Sequence, residues 1–191
     1  MRNLKSYAIA ASLISMTAVA SAGSISGTVV ARPSKYLAQT IVYVKQVADE
    51  KAPPKAVQID QRGMVFIPHI VLITTGDTVT FLNHDAIDHS VMSPEGSYDL
   101  GTFARGKEAS HTFTSTGVFA QICKLHPNML AYVFVGQNRF ATVVDARGTF
   151  SLDGVPAGSY ELDVWNPKLK AAPQTITVGE GVTTARFSII R

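Results

Sequence analysis

Cys123-Lys124-Leu125-His126-Pro127-Asn128-Met129 puts a thiol, an imidazole and a thioether within seven residues. Copper that cycles between Cu(I) and Cu(II) uses such a mixed, partly soft set. Its usual arrangement is two His and one Cys in a trigonal plane, with a weak axial Met. The plane needs a second imidazole. His89 is the best candidate, because it follows a β-like run and the Asn83-His84-Asp85 corner and precedes Ser90-Val91-Met92-Ser93. His84, five residues upstream and beside Asp85, is the alternative, as a ligand or as an outer partner. His69 and His111 bring no companion ligands and read as surface or core side chains.

Each of these residues has a plainer reading. Cys123 is the only cysteine, and it could be a small buried hydrophobe, a site of intermolecular pairing or a metal ligand. A lone Met after a strand is usually packing, and a lone His is usually solvated. The joint pattern Cys-x2-His-x2-Met, downstream of Gly-Asp-x-Val-x-Phe-x-Asn and a histidine, is what favours a site.

A loop can hold such a set only if its ends are fixed. The loop 123–129 lies between two β-rich runs, 118–122 and 130–135. Similar runs at 26–30, 40–44, 70–74, 78–82, 110–113, 141–144, 149–152, 160–165, 174–178 and 184–189 are rich in Val, Ile, Thr, Phe and Tyr. Gly76-Asp77, Ala146-Arg147-Gly148 and Pro156-Ala157-Gly158 punctuate them as turns. No helical periodicity exceeds about two turns, so the expected class is all-β. The charged, Pro-Pro-containing stretch 49–55 reads as a linker, and a second break falls at 136–139.

Arg2 and Lys5, the apolar run 7–20 and Ala20-Ser21-Ala22 read as a cleavable signal peptide over residues 1–22. The run is short for a membrane span of ~20 residues. The expectation is a periplasmic protein without a membrane anchor after cleavage. The 17 basic residues less Arg2 and Lys5, against 14 acidic, leave a net charge of +1. Nothing in that balance favours nucleic acid as a partner.

Residues 56–136 resemble the small cupredoxins of the plastocyanin, pseudoazurin and amicyanin group. Phe66-Ile67-Pro68, the run Gly76 to Asn83, and His89-Ser90-Val91 follow that family's pattern, and the Cys123 to Met129 spacing matches amicyanin's short ligand loop. The resemblance implies one type 1 (blue) copper ion, with His89 and His126 giving nitrogen, Cys123 the thiolate and Met129 the axial sulfur. Many relatives carry Asn after the first histidine, where it ties the two ligand loops together. Ser90 stands there in this chain, so a different contact is expected. Lys124 adds a cation to the ligand loop, as a solvated charge or as part of a docking patch.

The segments 140–150 and 154–162, with Asp-x-x-Gly-x-Phe and Pro-x-Gly-x-Tyr turns, resemble the carboxypeptidase regulatory-type, transthyretin-like β-sandwich. The expected fold is therefore a Greek-key cupredoxin β-sandwich at 56–136 plus a second, transthyretin-like β-sandwich. The second is expected to be built from 23–48 and 137–191, with the cupredoxin inserted between them. The combination is similar to methylamine-utilisation-like proteins. It implies a carrier of single electrons between redox partners, such as a c-type cytochrome or a periplasmic oxidoreductase. The alternative is periplasmic copper storage or delivery without redox turnover. Catalysis is not expected: Ile122, not His, precedes Cys123, only five His exist, and no nucleophile elbow is present.

Overall fold

The computed structural model describes residues 21–48 and 53–191. The signal-peptide expectation therefore lies outside the described residues except at Ser21 and Ala22, as do positions 49–52 of the linker. The chain opens with β1 (Ala22–Ala31), a short 3-10 segment (Ser34–Gln39) and β2 (Ile41–Val44). Nine strands follow: β3 (Ala56–Gln61), β4 (Phe66–Ile67), β5 (Ile70–Thr74), β6 (Thr78–Asn83), β7 (His89–Met92), β8 (Asp99–Phe103), β9 (Glu108–Thr112), β10 (Gly117–Ile122) and β11 (Leu130–Gly136). The last five are β12 (Ala141–Val143), β13 (Thr149–Pro156), β14 (Gly158–Trp165), β15 (Gln174–Val178) and β16 (Gly181–Ile189). Among the described residues, no helix is long and apolar enough to cross a membrane.

Four sheets make two sandwiches. The orders β5-β11-β10-β7-β8 and β4-β3-β6-β9 form one, and β13-β1-β16 and β12-β2-β14-β15 form the other. In the first, β3 pairs with β6 and β5 with β11, both in parallel and both between non-consecutive strands, so the chain crosses over between the partners. In the second, β1 lies antiparallel to β13 and parallel to β16, and β2 pairs with β12 and β14.

Alternation along the strands explains the two cores. In Thr78–Asn83 the inward positions are Val79, Phe81 and Asn83, all buried, while Thr78, Thr80 and Leu82 are only partly covered. One core gathers Ile59, Val79, Phe81, Val91, Phe113, Ala131 and Val133 with Cys123 and Met129. The other gathers Ile25, Val42, Val44, Leu162, Phe187 and Ile189 from the two ends of the described chain. Each Val, Leu, Ile, Phe or Met side chain among them contributes about 1.5–3 kcal/mol when fully buried.

The turn between β5 and β6 gathers the seams. Gly76 takes φ 95°, which a side chain would resist. It lets the buried Asp77 carboxylate accept from the Lys55 N–H at 2.8 Å and the Thr74 N–H at 2.8 Å. The Thr75 N–H donates to Gly136 O at 3.3 Å, so the chain enters and leaves this sandwich at one turn. Tyr43 packs against Phe134 and Trp165 against Tyr132, with ring centroids 4.8 and 4.9 Å apart, joining the two sandwiches through β11.

Candidate metal centre

The ligand loop closes a hairpin. β10 and β11 are antiparallel from Gly117↔Val135 to Ile122↔Leu130, which leaves residues 123–129 as the connection. Within it the Met129 N–H donates to His126 O at 3.0 Å. β7 reaches β10 at Met92↔Ile122, and this pairing carries His89 to the mouth of the hairpin. The segment between β6 and β7 is braced by buried Asn83. Its amide donates to Ile87 O at 2.9 Å and Phe103 O at 3.0 Å, and its side-chain oxygen accepts the Asp85 N–H at 3.0 Å.

His89, Cys123 and His126 form one grouping, with their donor atoms all within 4.8 Å of one another. Nδ1 of His89 lies 3.0 Å from Nδ1 of His126, and the Cys123 sulfur lies 3.9 and 3.6 Å from those nitrogens. In a trigonal plane, bonds of about 2.0 Å to nitrogen and 2.3 Å to sulfur would separate N from S by about 3.7 Å. The three donors therefore fit a single ion between them. His89 and Cys123 are buried and His126 is half-buried. Met129 is buried in the same core cluster as Cys123, at the end of the loop.

The proton on His89 can be assigned from its partner. Nε2 lies 2.8 Å from Asp85 Oδ2, and a carboxylate only accepts, so Nε2 carries the hydrogen and Nδ1 keeps its lone pair toward the grouping. Asp85 also accepts the Gly63 N–H at 2.6 Å and the Met64 N–H at 2.8 Å. The Met64 amide, ahead of the burial that opposes it, and then the Gly63 amide and His89 hold this carboxyl at about 2.

Burial alone would push the Cys123 thiol up. The Ser90 amide, with the Leu125 amide and the Ser90 hydroxyl, opposes that and draws the thiol down. Each of these contacts favours the thiolate, the form that binds metal.

Ser90 makes its own contacts at the position where relatives carry Asn. Its N–H donates to the Cys123 sulfur at 3.3 Å and its hydroxyl lies 3.7 Å from that sulfur, while the hydroxyl accepts the Lys124 N–H at 2.8 Å. Serine thus ties the two ligand loops together, the task expected of asparagine there. In the Ser90→Ala protein the thiol is expected to rise. More of it is then protonated at pH 7, and metal uptake releases more protons. A pH titration of the metal-free protein's thiolate absorption, beside wild type, checks the direction.

The other histidines stand apart from the grouping. His84 is exposed and pairs with Asp60 at 2.7 Å, so the structure does not bring the alternative ligand to the site. His69 contacts Leu130 O and Gln39, and His111 stacks on Tyr98 at 3.9 Å. Lys124 pairs with Asp99 on β8, a half-exposed contact of little worth to stability. Asp85 was not singled out by sequence: a carboxylate four residues before a histidine has no meaning outside a helix until the corner's path is known.

Residues 54–136 match the family of copper binding proteins, plastocyanin/azurin. Residues 132–186 match polysaccharide lyase family 4, domain II. No curated protein matches the chain. Among solved structures, the chain is similar to a mutant of amicyanin in the Cu(I) state at 27% identity, with 42% of this chain and 81% of that one covered and a TM-score of 0.40. It is similar to a purple cupredoxin from Nitrosopumilus maritimus at 25% identity, covering 41% and 98%, with a TM-score of 0.39. A copper-containing nitrite reductase from Thermus scotoductus SA-01 is similar at 24% identity, but over only 25% of its own length, with a TM-score of 0.41. The grouping of His89, Cys123 and His126 lies within the stretch that matches the copper binding proteins and is consistent with a single type 1 copper site.

Proposed function

We propose that this cupredoxin domain makes the chain a carrier of single electrons, with copper that His89, Cys123, His126 and Met129 would hold. Bound copper would supply one-electron chemistry by alternating between Cu(I) and Cu(II). The observation that carries the reading is how the donors are held. His89 is locked by Asp85, Cys123 by Ser90 and His126 by a turn at the end of a hairpin, so the site is rigid before any ion enters. Rigid ligands keep reorganisation on changing oxidation state small. With His89 and Cys123 buried, only the half-buried His126 faces outward, which gives an electron a route and leaves little room for a substrate.

Partner contact is proposed at the rim of this loop. Leu125, Met64, Val65, Ile67 and Ile87 are exposed apolar side chains, and Pro68 and Pro127 are also exposed. The partner is a redox protein such as a c-type cytochrome or a periplasmic oxidoreductase, met after removal of residues 1–22. A Leu125→Glu substitution is expected to slow electron exchange with such a cytochrome by about tenfold while the copper absorption remains, as stopped-flow mixing would measure.

The second sandwich is read as transthyretin-like, as in methylamine-utilisation-like proteins, with the unit 56–136 inserted between 23–48 and 137–191. Support comes from β1 and β2 pairing with strands beyond residue 140, and from two cores that share no residue. The deciding experiment reduces the copper-loaded protein with a small donor and re-oxidises it with a cytochrome. Repeated cycling without loss of metal is expected. Rapid Cu(I) transfer to a chelating acceptor, with no redox turnover, would instead favour copper delivery.

A further inference from the structure

We propose that Asp85 is the positioning residue of this centre: its carboxylate fixes the tautomer of His89 and, as a fixed negative charge behind that ring, holds the reduction potential down. The inference rests on the copper reading above and adds to it a residue outside the ligand set.

Three N–H groups converge on this one carboxylate, from His89 Nε2, Gly63 and Met64. The His89 contact aims the ring, because a proton held on Nε2 leaves only Nδ1 free to bind metal. The backbone contacts anchor the carboxylate in turn. Gly63 and Met64 form the tip between β3 and β4, and Met64 takes φ 58°, a left-handed conformation uncommon for a side-chain-bearing residue. His89 cannot swing without releasing that tip. A ring so tied keeps one orientation whether or not a metal is present.

The charge has a separate consequence. A reduced centre holds one more electron than an oxidised one, so a nearby negative charge disfavours it. Asp85 is 15% exposed and the His89 ring is fully buried, so water screens the interaction poorly. The field acts along the ring to the atom that binds the ion. Ser90 works in the opposite sense, since a donor to the Cys123 sulfur favours the more electron-rich state.

The test compares full-length wild type, Asp85→Asn and Asp85→Ala, with Asp153→Asn on the exposed face of the second sandwich as a control for net charge. In copper-loaded protein, Asp85→Asn is expected to keep the intense visible absorption and to shift the Cu(II)/Cu(I) equilibrium toward Cu(I) by about tenfold. That is the lower end of what losing an outer partner does to a metal site and corresponds to ~59 mV for one electron. Asp153→Asn is expected not to shift it. In metal-free protein, ring-nitrogen NMR is expected to find His89 wholly protonated on Nε2 in wild type and distributed over both nitrogens in Asp85→Ala. An unchanged equilibrium in folded, coloured Asp85→Asn overturns the charge role. A wild-type His89 without its proton on Nε2, or an Asp85→Ala protein identical to wild type, overturns the positioning role. Should Asp85→Ala not fold, wild type and Asp85→Asn decide both points. A wild type that takes up no copper sinks the copper reading alone, because the ring-nitrogen measurement is made without metal.

Discussion

Cys123→Ala protein given Cu(II) is expected to lack the intense visible band of wild type and to give the EPR signal of an ordinary copper site. The band belongs to charge transfer from a thiolate, and Cys123 is the only sulfur of that kind in the chain. Two histidines would remain, held by Asp85 and by the loop turn, and they bind copper without colour of that intensity. Affinity should fall by more than the roughly 10–100-fold that loss of an outer partner costs, since a ligand itself is gone. The fold should survive. Removing a sulfur-sized group from a buried position costs about 1 kcal/mol, and leaving the buried Ser90 amide without its acceptor adds about 1–3 kcal/mol. A folded Cys123→Ala protein that kept the band would remove Cys123 from the site.

The largest expected loss of stability lies far from the metal. Gly27 is in the middle of β1, and a Cβ there would lie 1.9 Å from the Ala185 carbonyl oxygen on β16 and 2.8 Å from the Phe150 ring. The nearest atom is backbone in a continuous parallel ladder, so it cannot step aside as a side-chain end would. Gly27→Ala is expected to destabilise by about 3 kcal/mol, the upper part of the range for overpacking. For a chain of this length that lowers the melting temperature by roughly 6–12 °C. Because the two cores share no residue, copper absorption should outlast the first part of the transition when both are followed on heating. An unaltered melting temperature would mean that β1 does not approach β16 this closely.

The site was legible where the chemistry is local. Cys123, His126 and Met129 were singled out by spacing alone, and the structure sets Cys123 and His126 together on a loop whose flanking runs 118–122 and 130–135 are strands. His89 needed the longer pattern from Gly76 onward, and it is His89, not His84, that lies beside Cys123 and His126. What sequence could not reveal was the outer support. Asp85 reaches His89 only because buried Asn83 braces the segment between β6 and β7 with three hydrogen bonds. Ser90 stands in for asparagine only because the Lys124 amide lies close enough to bond its hydroxyl.

The strands that escaped sequence reading share a physical cause. In β8 the residues Asp99, Gly101 and Thr102 are exposed and nothing is fully buried, so this sheet edge has no hydrophobic alternation. β3 shows its apolar period only weakly, with Gln61 buried at an inward position and Gln58 outward. β7 is four residues long and interrupted by a bulge beyond Ser90, so His89, Ser90 and Val91 are all buried and no period is visible. The long regular runs, by contrast, differed from the structure only at their ends.

The parallel ladder of β1 and β16, from Gly23↔Gly181 to Ala31↔Ile189, also orders events in time. During synthesis every strand from β3 to β11 emerges before β16, so the copper sandwich can close while β1 still lacks its parallel partner. Nascent domains fold as units once their own strands are out, and distant pairings wait for the chain between them. For that interval β1 and β2 are apolar strands with open edges, the kind of surface that recruits other chains. A protein arranged this way must shelter its earliest segment until its latest strand arrives. Its yield should therefore depend on what holds residues 22–44 during that wait more than on the strength of the copper fold itself.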